Sequence, residues 1–261
     1  MTLSEIGAQA VVLLVLAALL AGWVDAVVGG GGLIQLPALL LVPGLAPINA
    51  LATNKLASSF GTTTSSITYY RRVHPDLRTA LPMAAIALAG SMLGAAGASL
   101  LPADALVPIV LVALLAVTIY TLRRPTLGES TALRFTGARH LRAAAAVGLV
   151  IGFYDGLIGP GTGSFLVFGL VSVLGYAFLE ASAKAKIVNL ATNIGALIIF
   201  IPQGAVIWAL GLPMALANVA GGYLGARTAV ARGSSFVRVV FLLVVSVLIV
   251  RLGWQEIDRW R

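Results

Sequence analysis

Apolar stretches of about twenty residues follow one another along nearly the whole chain, and a helix of that length crosses the ~30 Å hydrocarbon core of a bilayer. Residues 6–28, 46–70, 80–101, 104–122, 141–158, 183–202, 211–230 and 235–253 read in this way, with two shorter stretches, 33–43 and 164–178, set among them. Only 10% of the 261 residues are charged, against about 25% in a soluble domain, so the chain cannot cover a water-facing surface. In hydrocarbon every backbone N–H and C=O must be satisfied internally, which leaves helices as the spanning element. The expected fold is an all-α polytopic membrane protein with about 8–10 membrane segments.

The first nine residues carry Glu5 and no Lys or Arg, and the apolar run after them leads into more membrane. This reads as a retained first helix and not as a cleaved leader. The formal net charge is +8, but the arginines gather in short stretches between spans, where they encode orientation; nucleic acid is not an expected partner. The chain has no cysteine, which excludes disulfides, thiolate metal sites and thiol catalysis. His74 and His140 fall in basic stretches and are expected to be solvated. No catalytic constellation and no cofactor or metal motif appears within the spans.

The sequence repeats itself. Gly22-Trp23-Val24-Asp25 returns in the second half as Gly152-Phe153-Tyr154-Asp155, and Leu81-Pro82-Met83-Ala84 returns in nearly the same register as Leu212-Pro213-Met214-Ala215. Leu93-Gly94-Ala95 returns as Leu224-Gly225-Ala226. Two membrane repeats are expected, 1–125 and 126–261, divided in the polar stretch Arg123–Arg142. Equivalent connections have opposite basic character: Arg71–Arg78 holds three arginines where its counterpart Gln203–Leu210 holds none, and Glu180–Lys186 holds Lys184 and Lys186 where the loop at Pro43 is uncharged. Under the positive-inside rule the halves are then inserted upside down relative to each other, with five crossings each. Inverted repeats with broken segments at matching places point to a secondary transporter whose site lies at the bilayer midplane. A passive anion channel and an intramembrane enzyme or assembly factor are the alternatives.

Each repeat carries a glycine break, Gly29–Gly32 and Gly159–Ser164. A break in lipid strands backbone polar groups at a cost of several kcal/mol each, tolerable where the backbone faces a cavity or ligand. The short segment after each break is expected to be a half-helix whose N-terminus, carrying about half a positive charge, cradles an anion. Gly30, Gly31, Gly32, Gly161, Thr162, Gly163 and Ser164 are the candidates. The competing reading is that these glycines only allow close packing. Gly90 with Gly94, Gly221 with Gly225, and Gly148, Gly152 and Gly156 are read as packing glycines outright.

Four ionisable residues fall in or beside spans at matched positions: Asp25 with Asp155, and Lys55 with Lys186. Each costs about 2.5–3.5 kcal/mol to insert at a helix centre, which marks them as functional candidates. Lys55 and Lys186 are expected to bind a small anion, with Thr53, Asn54, Asn189 and Asn193 lining the pocket. Alternatively Lys186 snorkels to the interface and Lys55 pairs with Asp25 or Asp155. The two aspartates could carry protons, cap the broken helices or neutralise the lysines.

The run from Asp25 through Gly29–Gly32 to Asn54-Lys55, and the later run from Gly152 through Gly159–Ser164 to Asn193, resemble the TauE/SafE family of bacterial sulfite and organosulfur anion exporters. The resemblance covers nearly the whole chain. It implies a multi-pass carrier in the bacterial plasma membrane for a small sulfur-containing anion, working without ATP; the glycine runs, Asn54 and Asn193 match the family motif. The lysine pair is inferred from spacing, not from the family. The lipid bilayer is the other expected partner, and the reading leaves room for a homodimer.

Overall fold

The computed structural model describes residues 8–98 and 128–259, together with 115, 119, 121 and 123. All regular structure among the described residues is helical: α1 (Ala8–Val28), α2 (Gly32–Leu40), α3 (Pro47–Val73), α4 (Leu77–Gly97), α5 (Gly137–Leu157), α6 (Thr162–Gly169), which continues as a π-turn over Leu170–Leu174, α7 (Phe178–Phe200) and α8 (Trp208–Arg259). The expected segment 104–122 lies outside the described residues, apart from those isolated positions. The two segments expected at 211–230 and 235–253 form one run, interrupted where Gly233 takes φ 75° and ψ −172°.

Four of these helices, α1, α4, α7 and α8, are long and apolar enough to cross a membrane. The central helix α3 is too polar to qualify by composition, yet several of its hydroxyls are satisfied within the helix, while the buried Ser66 hydroxyl has no partner among the described residues. Ser59, Thr63 and Thr68 donate to the carbonyls of Lys55, Ser59 and Thr64 at 2.7, 2.7 and 2.8 Å, which removes the cost of carrying bare hydroxyls through an apolar setting. Its ends are set locally: Pro47 opens the first turn, where a missing N–H costs nothing, and Arg71 and Arg72 stand in the last turn beside the negative end of the dipole. Asp76 caps α4 by accepting from Arg78 N (3.0 Å) and from the Thr79 hydroxyl (2.7 Å), and so α4 starts slightly before the apolar pattern.

Helices α3 and α7 pack against each other at the centre and run antiparallel, because Asn49 at the start of α3 bonds the carbonyl of Ala205 just after α7 (2.8 Å). Around α3 lie α1 and the first part of α8; around α7 lie α4 and α5. Glycines set these contacts. Gly221 and Gly225 of α8 meet the backbone at Leu19 and Trp23 of α1, while Gly90 and Gly94 of α4 meet that at Leu149, Phe153 and Leu157 of α5. From the α5 side, Gly148, Gly152 and Gly156 meet Met83, Ala87 and Ser91. Backbones this close gain dispersion and weak polar contacts that larger side chains would prevent.

Gly94→Val and Gly221→Val are expected to lower the melting temperature in detergent sharply, each forcing a side chain into neighbouring backbone at a cost of at least about 1–3 kcal/mol. Gly253→Ala, at a position with open space around it, is expected to leave that temperature unchanged. Differential scanning fluorimetry of the three variants checks both statements.

Candidate functional site

Both aspartates sit in the last turn of an apolar helix. The N–H of Gly29 closes the end of α1 on the Asp25 carbonyl (2.7 Å), and Asp155 stands at the same spacing before Gly159 at the end of α5. A carboxylate at a helix C-terminus faces the negative end of the dipole, so each needs a cation from elsewhere. Lys55 Nζ of α3 lies 2.5 Å from Asp155 Oδ1, and Lys186 Nζ of α7 lies 2.9 Å from Asp25 Oδ2. Lys55 and Asp155 are 2% and 1% exposed, and Lys186 and Asp25 0% and 13%. Each bridge thus joins a helix from one half of the sequence to a helix from the other. The lysines do not snorkel. Thr162 donates to Asp155 Oδ1 (2.6 Å), and Thr62 stands 3.5 Å from Asp25 Oδ2.

The two chain breaks meet at this level. Gly29 has φ +82°, and a Cβ there would collide with the backbone of Gly163; Ser164 N–H donates to the Gly29 carbonyl (3.1 Å), and its hydroxyl to the Val28 carbonyl (3.0 Å). The pieces that follow are short. The nine residues of α2 reach about 13 Å at 1.5 Å per residue, less than half of a bilayer core.

A polar cavity of about 20 Å³ lies between the breaks and the central helices, room for roughly one water molecule. It is lined by Asp25, Asn54, Lys55, Asp155, Asn189 and Asn193, with Gly32, Gly161, Thr162 and Gly163 from the glycine segments. Most of the candidates read from the sequence therefore converge. Others stand apart: Lys186 reaches the cavity only through Asp25, Thr53 accepts from Ile207 N–H (3.0 Å), and Ser164 ties the two breaks together. Gly30 and Gly31 pack against Val244 and against Ala21 and Asp25. Three buried polar atoms of the lining residues lack hydrogen-bond partners among the described residues, namely Asp155 Oδ2, Asn54 Oδ1 and Asn193 Nδ2.

Three residues differ from their expected settings. Lys184 and Lys186 do not lie in a connection; α7 begins at Phe178 and both side chains are fully buried, which a helix allows because each finds a carboxylate or an aromatic ring. Lys184 sits 4.2 Å over the Tyr176 ring and 3.9 Å from Glu180. His140 is 7% exposed within α5, its Nε2 2.9 Å from the Tyr176 hydroxyl, so it is not solvated. The sequence reading also missed Ser58, Gly29 and Gly159, which line the cavity. The glycines were visible as part of the breaks, and Ser58 as the counterpart of Asn189 in the register that pairs Lys55 with Lys186.

A helical membrane protein with paired charges around a polar cavity beside two glycine-rich segments has the makings of a membrane transporter. The chain matches the family model described as Sulfite exporter TauE/SafE over residues 14–252, and it belongs to that family. It is 38% identical over 244 residues to a probable membrane transporter protein, ORF9, of Sinorhizobium sp, covering 92% of this chain and 90% of the relative. It is 36% identical over 247 residues to the probable membrane transporter protein YfcA of Escherichia coli K12, covering 93% and 91%. A probable membrane transporter protein of Haemophilus influenzae is 30% identical over 252 residues, covering 97% and 98%. No solved structure matches the chain.

Removing one member of a buried pair costs about 3–5 kcal/mol because the other charge is stranded. Asp25→Asn and Lys186→Gln are each expected to destabilise the protein strongly, and the double variant less than the sum of the two. A double-mutant cycle from thermal unfolding in detergent measures the coupling.

Proposed function

We propose that the protein is a secondary transporter of a small sulfur-containing anion, such as sulfite, a sulfonate or sulfoacetate, in the bacterial inner membrane. The observation that carries the proposal is the crossed arrangement of ion pairs around the cavity, joined by family membership and by the words sulfite exporter in the description of the matching model. Lys55, with Asn54, Asn189, Asn193, Thr162 and the backbone of Gly161 and Gly163, forms the anion site; Lys186 holds Asp25 beside it. Thr53, Ser164, Gly30 and Gly31 support it from behind. Asp25 and Asp155 are the carboxylates available for proton coupling.

The two halves, 1–125 and 126–261, act as inverted repeats. Four correspondences support this. The pairs Lys55–Asp155 and Lys186–Asp25 exchange places when one half of the sequence is laid on the other. The contact of Gly90 with Leu149 and Phe153 returns as that of Gly221 with Leu19 and Trp23. The packing of α4 on α5 and α7 is matched by that of α8 on α1 and α3. Helices α3 and α7, equivalent in sequence, run antiparallel. Such a pair of halves can rock about a fixed midplane site and expose it to each side in turn. In the present state the cavity is too small for a polyatomic anion beside an intact Lys55–Asp155 bridge, as an occluded or resting carrier requires.

Purified protein in liposomes loaded with unlabelled sulfite is expected to accumulate labelled sulfite by counterflow, and Lys55→Ala with Lys186→Ala to abolish it. Retained counterflow in that double variant would overturn the site, while conductance without counterflow would replace the carrier by a channel. Topology has its own test. Single cysteines at Pro43 and Gln203 are expected to react with an impermeant maleimide from outside, and one at Glu129 from inside. Pro43 is used because the φ of +79° at Gly44 would strain any side chain. Labelling of Pro43 and Gln203 from inside would overturn the inverted arrangement.

A further inference from the structure

We infer, resting on the transporter reading above, that Asp155 is a proton-binding group in competition with the transported anion for Lys55, so that each anion binds together with one proton and the two cross in the same direction. The two ion pairs are not equivalent. Both members of the Lys55–Asp155 pair line the cavity, whereas only Asp25 of the other pair does so. Lys186 reaches that pair from α7 and is fully buried behind it. An anion arriving in the cavity therefore meets Lys55 as its ammonium group, and that ammonium is already engaged by Asp155 Oδ1 at 2.5 Å.

The cavity cannot take a second negative charge beside an ionised Asp155. Asp25 lines the same cavity, and like charges crowded into a small, poorly solvated space repel strongly. Protonation of Asp155 removes the conflict. Its Oδ2 is buried and has no hydrogen-bond partner among the described residues, so it is a vacant place for the proton, and the Oδ1 contact from Thr162 survives the change. Asn54 Oδ1, on the same cavity, is a second acceptor without a donor. The freed Lys55 ammonium and the unpartnered Asn193 Nδ2 then supply donors to the anion.

The titratable groups facing Asp155 among the described residues are few. Lys55 comes from α3 and Asp25 from α1, while Lys186 from α7 is held by Asp25. Tyr154, next to it on α5, donates its hydroxyl to the Pro160 carbonyl, and α2 and α6 line the cavity with none. The balance of the step is simple: a proton from water on the open side joins Asp155 Oδ2, the Lys55–Asp155 ion pair separates, and the anion takes its place. On release to the other side the proton leaves and the pair reforms. The empty carrier returns with its bridge intact and carries no proton back.

The probe for the test is a sulfonate such as methanesulfonate, which stays ionised at neutral pH and takes up no proton itself. Binding to the purified wild-type protein in weakly buffered detergent, followed with a pH indicator, is expected to take up about one proton per anion, with affinity falling as the pH rises. The variant Asp25→Asn with Lys186→Gln removes the other pair whole and is expected to bind more weakly, because Asp25 lines the cavity, but each anion that it does bind is expected to bring about one proton. Asp155→Asn is expected to bind with no proton uptake and no pH dependence. Binding without proton uptake in the wild type overturns the inference and leaves the transporter reading standing. Anion binding without proton uptake in the Asp25–Lys186 variant assigns the proton to Asp25 and overturns it too, without relying on Asp155→Asn to fold. If neither methanesulfonate nor sulfite binds or shows counterflow, the transporter reading itself falls, and the inference with it.

Discussion

Two buried salt bridges hold the centre of this molecule, and the rest of the fold is arranged so that they can exist. A lysine or aspartate alone at this depth would be driven neutral or outward. Paired across the halves, Lys55 with Asp155 and Lys186 with Asp25, each charge offsets the desolvation of the other. The net gain over an apolar core of the same shape is small, because desolvation consumes most of the Coulomb attraction. What such a pair supplies is registry. α3 must stand where its lysine meets the end of α5, and α7 where its lysine meets the end of α1, and a shift of either helix by one turn would strand its lysine and the aspartate that it serves.

Registry of this kind is possible only because backbone can approach backbone around it. The glycines of α4, α5 and α8 let helix contacts close to a distance that side chains would forbid, and Gly29 lies directly on Gly163 where the two chain breaks cross. The breaks end α1 and α5, which puts aspartates at helix C-termini. They also start α2 and α6 beside the same cavity, with their positive ends nearby. One feature of the chain, the glycine break, thus creates the need for the lysines and, in the proposed function, would also give an anion a favourable approach.

The central architecture was legible in the sequence because it is written twice. A nearly constant register between the two copies identified the two aspartates, the two lysines and the packing glycines, and the structure brings the members of these sets into contact across the halves. What the register could not reveal was how the charges cross. Periodicity assigns a residue to a helix face but not to a partner, so the pairing of Lys55 with Asp155 stood as one option among several. In the repeat register Glu180–Lys186 is the counterpart of the uncharged loop at Pro43, and that register alone puts Lys184 and Lys186 in a connection. Burial of both in α7 depends on Glu180, Tyr176 and Asp25, and two of these lie outside that helix. His140 was misjudged for the same reason: its partner, Tyr176, is distant in sequence and has no counterpart in the other half to flag it.

Such residues without counterparts separate the two ends of the molecule. In the register of the repeat, Lys184 corresponds to Thr53 and Asn218 to Ala87. At one end Asp76, Thr79, Tyr176 and His140 form a chain of polar contacts with Lys184 beside it. The matching end is closed by single bonds, from Asn49 to Ala205 and from Ile207 to Thr53. Buried halfway, Asn218 donates to Gln35 (2.7 Å) and to the Ala18 carbonyl (3.1 Å), which ties α2 to α8 on one side only. If the halves rock as rigid units, symmetry would make opening to either side equally costly. Among the described residues, these unmatched contacts would break that equality: opening the end that holds the longer polar chain would surrender the bonds of Asp76, Thr79, Tyr176 and His140. Under the rocking mechanism proposed above, the residues that escaped duplication would decide how evenly the two sides open.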